Sequence, residues 1–141
     1  MNLPRTVTLI VQHVDGLRFR ATVGEHAVVV DALPEDGGTG AAPSAPQLFA
    51  AAVGACMLEF VANSCRLHGI PFERLSLMLD YVEQAQPRRV GVLEATLCIE
   101  PEPPEEVKRR LIGVARHATL VNTLARPPEV DIHFAEQGGQ P

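Results

Sequence analysis

The stretch QLFAAAVGACMLEFVANSC, Gln47 to Cys65, decides the fold of this chain. From Leu48 to Ala62 it carries a single charge, Glu59, and a cysteine, Cys56, lies near its middle. Because it is apolar on all sides over its early and middle turns, a helix formed here must be buried, either at the centre of its own domain or by a partner chain.

The residues around this stretch mark the two ends of a long helix. Ser44 and Gln47 have the spacing of a capping box, and Pro46 lies in the first turn, where a missing N–H costs nothing. Gly69 is the expected residue after the last turn, and Pro71 follows it. A Gly/Pro-rich loop, residues 34–44, leads into the helix.

Alternating apolar residues predict strands on both sides of the helix, in the order β-β-β-α-β-β-α-(α)-β. Negative residues in PEPPEE, 101–106, open the second helix. The last strand, VDIHF, is expected to point Val130, Ile132 and Phe134 inward, and about 135–141 is expected to be a flexible tail. The predicted strands cover residues 6–13, 17–22, 26–31, 74–83, 90–100 and 130–134.

Length and composition restrict the class of protein. The 141 residues fit a single domain, 1–141, and a net charge of −5 without a basic run argues against a nucleic-acid partner. Three cysteines do not make a disulfide scaffold, and the N-terminus lacks the pattern of a signal peptide. No uninterrupted apolar run reaches about 18 residues, so we expect no membrane span and a cytoplasmic location.

Cys56 is either a small apolar core residue or a thiol held there to react. A reactive cysteine needs a neighbour that favours the thiolate, and the only ionisable residue on its helix face, Glu59, would disfavour it. Cys65 cannot pair with Cys56 inside one helix, because nine residues separate them by about 13.5 Å. The local pattern favours an inert Cys56 and leaves both interpretations open.

Other groups carry weaker signals. Cys65 and His68 are half of a metal site without a second pair, so we predict no metal and no cofactor. Arg18 and Arg20 share one face of a strand, which is either solvated or faces an anion.

The pattern D-x-x-x-x-x-G-G…P-S-x-x-Q-L-F-A-A-A-V-G-A-C, from Asp31 to Cys56, resembles the OsmC/Ohr family (osmotically inducible protein C and organic hydroperoxide resistance protein). HGIPFERLSLML and ARHATLVNTLARPPEVDIH are similar to later segments of that family. The resemblance covers almost the whole chain and is closer to the shorter OsmC-like branch.

The resemblance implies an α+β, OsmC-like fold, with antiparallel sheets wrapped around long buried helices in an intertwined homodimer. It also implies a thiol-dependent peroxidase for organic hydroperoxides, in which a peroxidatic cysteine is tuned by an arginine and a glutamate and resolved by a second cysteine. Cys56 occupies the peroxidatic position, which makes it a reactive residue. The motif does not place the family's arginine, for which Arg18 and Arg20 are the candidates, and we predict Arg20 and Glu59 beside Cys56.

The chain departs from the family pattern at two places. Ala118 stands where the second cysteine is expected, while Asn122, Thr123 and Leu124 keep the register. Pro46 stands at the glutamate position, which falls on Gln47 in the other branch.

Three functions are therefore open. The first is a peroxidase with one reactive cysteine, Cys56, and an external thiol reductant as resolver. The second is a non-catalytic relative that binds an apolar small molecule near Cys56. The third is a redox sensor oxidised at Cys56. The sequence does not say whether Cys65 or Cys98 could resolve an oxidised Cys56.

Overall fold

The computed structural model describes residues 4–136 and 138. It is a mixed α+β chain with antiparallel strands, as predicted. The elements are β1 (Ile10–Asp15), β2 (Arg18–Val23), β3 (His26–Asp31), a 3-10 turn (Pro34–Asp36), α1 (Ala45–His68), β4 (Arg74–Ala85), β5 (Arg88–Glu100), α2 (Glu105–Arg116) and α3 (Thr119–Ala125).

The chain forms two compact units, one from the residues before Phe49 together with those from Asp131 onward, and one from Phe49–Val130. The assignment of residues 1–141 to a single domain stays a prediction.

The first unit contains an antiparallel sheet in the order β1-β2-β3. Gly16 and Gly24 take positive φ angles in the two turns that join these strands, a conformation that costs glycine little. The alternation predicted that the first strand begins at residue 6, but β1 begins at Ile10. The reason is that Ile10 pairs with Thr22, close to the end of β2, so the residues before it have no partner strand.

Both predicted ends of α1 are confirmed. The Ser44 N–H donates to Gln47 Oε1 at 2.9 Å, and the Gln47 N–H donates to Ser44 Oγ at 3.3 Å, which completes the capping box. Gly69 has a positive φ of 63°, and the Ile70 N–H donates to the Cys65 carbonyl at 2.9 Å.

The second unit packs one face of α1 against the β4–β5 hairpin. Leu75, Leu77, Leu79 and Tyr81 alternate inward along β4, as the sequence predicts. A core cluster of Val61, Cys65 and Leu111 joins α1 to α2, with Leu97 and Ile99 of β5 packed against it.

The helix α1 is long and apolar enough to cross a membrane by length and composition, with a mean hydropathy of 1.6 over 18 residues. It is the one helix in the described chain that passes this test, although Glu59 interrupts its apolar run, and the expectation of no membrane span stays a prediction. A single such helix is weak evidence for a membrane, because the core helix of a soluble protein passes as well.

The prediction of a last strand at residues 130–134 is wrong. Residues 127–136 form no strand, and Val130, Ile132 and Phe134 are 77%, 88% and 103% exposed instead of inward. The alternation that favours a strand is present, but a strand requires a partner to receive its hydrogen bonds. No described strand of the same chain pairs with this segment.

The flexible tail predicted at about 135–141 falls partly on residues 137 and 139–141, which lie outside the described residues.

Candidate functional site

The orientation of α1 determines how the central cysteine is presented. The buried side of α1 consists of Ala50, Val53, Gly54, Val61, Ser64 and Cys65. A Cβ on Gly54 would lie 3.4 Å from Leu77 Cδ2 and 3.7 Å from Leu79 Cδ1, so the helix contacts β4 closely there. Cys56 follows Gly54 by about 200° around the helix axis and therefore lies off this buried side.

Cys56 shares its side of α1 with two phenylalanines. Phe49 precedes it by nearly two turns and Phe60 follows it by about one, so the three side chains form one row, called here the Cys56 flank. Cys56 is half-buried, and both phenylalanines remain partly exposed. The flank therefore presents a thiol within an apolar, solvent-reachable surface.

An open groove lies at the Phe49 end of the Cys56 flank, with a volume of about 390 Å³. Its walls are Phe49 of α1, residues 90–93 at the start of β5, and Leu124 of α3. These side chains are apolar, so the groove suits an apolar group rather than a charged one.

The two charged residues predicted beside Cys56 fall in different places. Glu59 lies about one turn after Cys56 on α1 and is exposed. Arg20 lies in the first unit, on β2 opposite Val29, and is also exposed. Neither makes an ion pair within the described residues.

Gln47 and Ala118 stand at positions where the resembled family has an acid and a second cysteine. Gln47 uses its side-chain oxygen to accept the Ser44 N–H, so an amide that caps α1 stands where one branch has an acid. Ala118 is fully buried and precedes the first residue of α3. Neither residue can supply a thiol or a carboxylate.

The other two cysteines differ sharply from each other. Cys65 lies in the core cluster, and burial raises the pKa of its thiol, which keeps it protonated and unreactive. Cys98 is exposed on β5, opposite Ser76 on β4. All three cysteines are free, so the structure contains no disulfide among them. Within residues 4–136 and 138, no group of three or more His, Cys, Asp and Glu side chains could hold a metal ion.

Sequence reasoning missed one residue, Asp31. Its side chain is only 1% exposed and accepts hydrogen bonds from the loop that precedes α1. The available signal was an aspartate placed directly after the apolar run of β3 and before a Gly/Pro-rich loop.

Comparison with known proteins places this architecture in a family. The family model described as OsmC-like protein matches residues 38–133, which include the capping box, the Cys56 flank and the groove. The chain belongs to the OsmC-like protein family. No curated protein matches this OsmC-like chain.

Solved structures agree on the fold of this OsmC-like chain. An osmotic stress induced and detoxification response protein, as it is described, from Psychrobacter arcticus 273-4 is 21% identical, with a TM-score of 0.79 over 87% of this chain and 91% of that one. An organic hydroperoxide resistance protein OsmC from Legionella pneumophila is 22% identical, with a TM-score of 0.65 over 86% and 91%. The organic hydroperoxide resistance protein OhrB of Bacillus subtilis is 15% identical, with a TM-score of 0.59 over 84% and 90%. At these identities, the likeness shows the fold alone.

Proposed function

We propose that this OsmC-like protein reduces organic hydroperoxides through Cys56, with an external thiol as resolver. The observation that carries the proposal is the Cys56 flank, in which a half-buried thiol lies between two phenylalanines, one of which, Phe49, lines an apolar groove. An alkyl or aryl group of a hydroperoxide could bind on this apolar surface while its peroxide oxygen meets the thiol. Family membership and two relatives named for organic hydroperoxide resistance add support.

The proposed reaction balances as follows. The Cys56 thiolate attacks the outer peroxide oxygen, an S–O bond forms, and the O–O bond breaks. The alkoxide takes up a proton and leaves as an alcohol, while Cys56 is oxidised to the sulfenic acid. One external thiol condenses with the sulfenic acid to give a mixed disulfide and water, and a second thiol releases reduced Cys56 and a disulfide.

The positions of the other cysteines favour an external resolver. Ala118 carries no thiol, and Cys65 is buried in the core cluster, where its protonated thiol is a poor nucleophile. Cys98 is exposed and is the remaining internal alternative.

The thiolate requires a positive partner, and we propose Arg20 for this role on the resemblance to the family. Arg18, the other arginine on the same strand face, is held by ion pairs to Asp15 and Asp31. Arg20 has no such partner in the described part of the chain. Glu59 is proposed as the exposed acid that orients a guanidinium near Cys56, since a carboxylate alone would disfavour the thiolate.

The test is steady-state consumption of cumene hydroperoxide, and separately of hydrogen peroxide, with excess dithiothreitol. We expect faster consumption of the organic peroxide, loss of activity in Cys56→Ser, and retention of activity in the control Cys98→Ser. Activity that persists in Cys56→Ser, or no consumption of either peroxide, would contradict the proposal.

A second function is favoured by the buried Ala118 and the capping Gln47, since both replace residues with catalytic roles in the resembled family. On this alternative the protein binds an apolar small molecule in the groove without turnover. Such a ligand would raise the melting temperature of the protein, and the rise would grow with ligand concentration as expected for binding at one site. The substitution Leu124→Glu, which places a charge in the groove wall, would abolish that rise.

A further inference from the structure

The positive charge of the chain is concentrated on the two helices that follow β5. Residues 107–128, which contain most of α2 and all of α3, hold five of the twelve lysines and arginines and none of the seventeen aspartates and glutamates. The chain as a whole has a net charge of −5. A basic segment in an acidic chain gives the protein a local surface that attracts negative groups.

The helix α2 turns one side to the core and the other to solvent. Leu111 is fully buried in the core cluster, and the opposite side carries four exposed residues, Arg109, Arg110, Arg116 and His117. Lys108 is bound to Glu102 and Glu105. The three arginines make no ion pair in the part of the chain that the structure describes, so their charges face solvent.

Gly113 lies at the centre of this charged side. On a helix surface the neighbours of a residue are those three and four positions away, which for Gly113 are Arg109, Arg110, Arg116 and His117. A Cβ on Gly113 would meet nothing within 4 Å, so the space above its Cα is open. The His117 ring lies beside it, since its Nδ1 donates to the Gly113 carbonyl at 2.8 Å. We call this bare spot, ringed by three arginines and a histidine, the Gly113 notch.

The helix itself explains neither the glycine nor two of the arginines. Glycine is among the least favourable residues in a helix interior, and Gly113 has no positive φ that would require it. The helix dipole favours a cation in the last turn, which accounts for Arg116 but not for Arg109 and Arg110. A residue that weakens its own element without a local structural cause is expected at a functional site.

We propose that the Gly113 notch is a docking surface for an acidic segment of a partner protein, in which a carboxylate side chain enters the notch between the arginines. Arginine binds a carboxylate through two parallel hydrogen bonds, and clusters of arginines recognise acidic motifs. Ile112 is 46% exposed next to Arg109 and Arg116, and it offers the apolar contact that protein interfaces combine with arginine. The inference goes beyond the proposed function and does not depend on Cys56.

Two other anionic partners fit this surface less well. A free phosphate or a nucleotide is typically held by unpaired backbone N–H groups, whereas Gly113 lies inside α2, where these groups bond within the helix. Nucleic acid carries phosphates at regular spacing along its length, and Glu105 and Glu106 in the first turn of α2 would repel them. A carboxylate on a protein segment avoids both difficulties.

The test is fluorescence anisotropy of a labelled, glutamate-rich peptide with one central leucine, titrated with the full chain. We expect saturable binding that weakens as salt is added, because salt screens exposed charges. Arg109→Gln and Arg116→Gln should each weaken binding about fivefold. The matched control Arg66→Gln removes the same charge from an exposed position on α1, and it should bind the peptide like the natural protein.

The variant Gly113→Gln distinguishes a notch from a general effect of charge. Glutamine fills the notch with a neutral side chain that favours a helix, so the urea midpoint should be at least that of the natural protein. We expect its affinity for the peptide to fall about tenfold, because the added side chain clashes with the bound carboxylate. Since stability does not fall, unfolding does not explain such a loss.

Four results would overturn the inference. Two of them are equal binding by Arg109→Gln, Arg116→Gln and Arg66→Gln, and full affinity in Gly113→Gln. The other two are a lysine-rich peptide that binds as tightly as the acidic one, and a DNA duplex that binds more tightly than the acidic peptide at the same salt concentration.

Discussion

At the scale of single residues, the Cys56 side chain differs from the other two thiols in its surroundings. It lies half-buried on an apolar helix flank, whereas Cys65 is enclosed in the core and Cys98 is exposed on a strand. The position that would resolve Cys56 in the resembled family is occupied by the buried methyl group of Ala118. A thiol introduced at that position tests the arrangement.

The substitution Ala118→Cys is therefore expected to change the fate of oxidised Cys56. After one equivalent of cumene hydroperoxide, we expect a disulfide between Cys56 and the introduced thiol, because the thiol can condense with the sulfenic acid. Peptide mapping without reductant detects the linkage, and Ala118→Ser is the control. Persistence of free thiol at both positions would show that position 118 is not arranged for resolution.

Asp31 predicts a pH dependence of stability. Its pKa is lowered below the usual 3.8, mainly by the Thr39 hydrogen bond, with contributions from the Ala41 N–H and Arg18. A lowered folded-state pKa adds stability that is fully present above the unfolded-state value and is lost as pH falls through the folded-state value. We expect the urea midpoint of the natural protein to exceed that of Asp31→Asn at pH 7 and to approach it below about pH 3.8. A difference that stays constant with pH would contradict this role.

At the scale of elements, alanine substitutions at two glycines are expected to change the stability of the protein in opposite directions. A Cβ on Gly38 would meet the Ala32 carbonyl oxygen at 1.9 Å, whereas a Cβ on Gly113, inside α2, would meet nothing within 4 Å. Gly38→Ala should therefore destabilise the protein by about 1–3 kcal/mol through forced displacement of the loop. Gly113→Ala should stabilise it by about 1 kcal/mol, since alanine favours a helix interior. Urea denaturation measures both, and a stabilising Gly38→Ala would contradict the loop geometry.

The elements that could be predicted from sequence were those whose signals are local. The capping box at Ser44, the positive φ at Gly69 and the alternation along β4 all depend on residues close in the chain. The segment 130–134 has the same alternation but forms no strand, because pairing depends on a distant or separate partner. The Asp31 contacts were not predictable for the same reason, since they join β2, β3 and a loop whose shape no short pattern defines.

At the scale of the whole molecule, the exposed apolar side chains call for a partner. Phe49 and Phe60 of the Cys56 flank remain partly exposed, and Val130, Ile132 and Phe134 are almost fully exposed. Apolar side chains in such numbers are more typical of an interface than of a free surface. We propose a second copy of the chain as the partner, in line with the homodimer that the family resemblance implies.

Light scattering tests this proposal. We expect a mass of twice 15.2 kDa at micromolar concentration. Ile132→Asp should weaken the dimer, because it places a charge on the apolar side of the segment, while His133→Asp on the other side should not. A monomeric natural protein, or equal effects of the two substitutions, would contradict a dimer that uses this segment.

The central claim is that Cys56 is a peroxidatic nucleophile, and the most direct measurement is intact-mass detection of a sulfenic-acid trap. The reduced protein is exposed to cumene hydroperoxide, and separately to hydrogen peroxide, in the presence of a sulfenic-acid-specific nucleophile, with Cys56→Ser as control. We predict rapid, stoichiometric trapping with the organic peroxide that disappears in the control. If neither peroxide yields a trapped adduct at Cys56, the claim is wrong, and Cys56 is a packing residue beside a ligand groove.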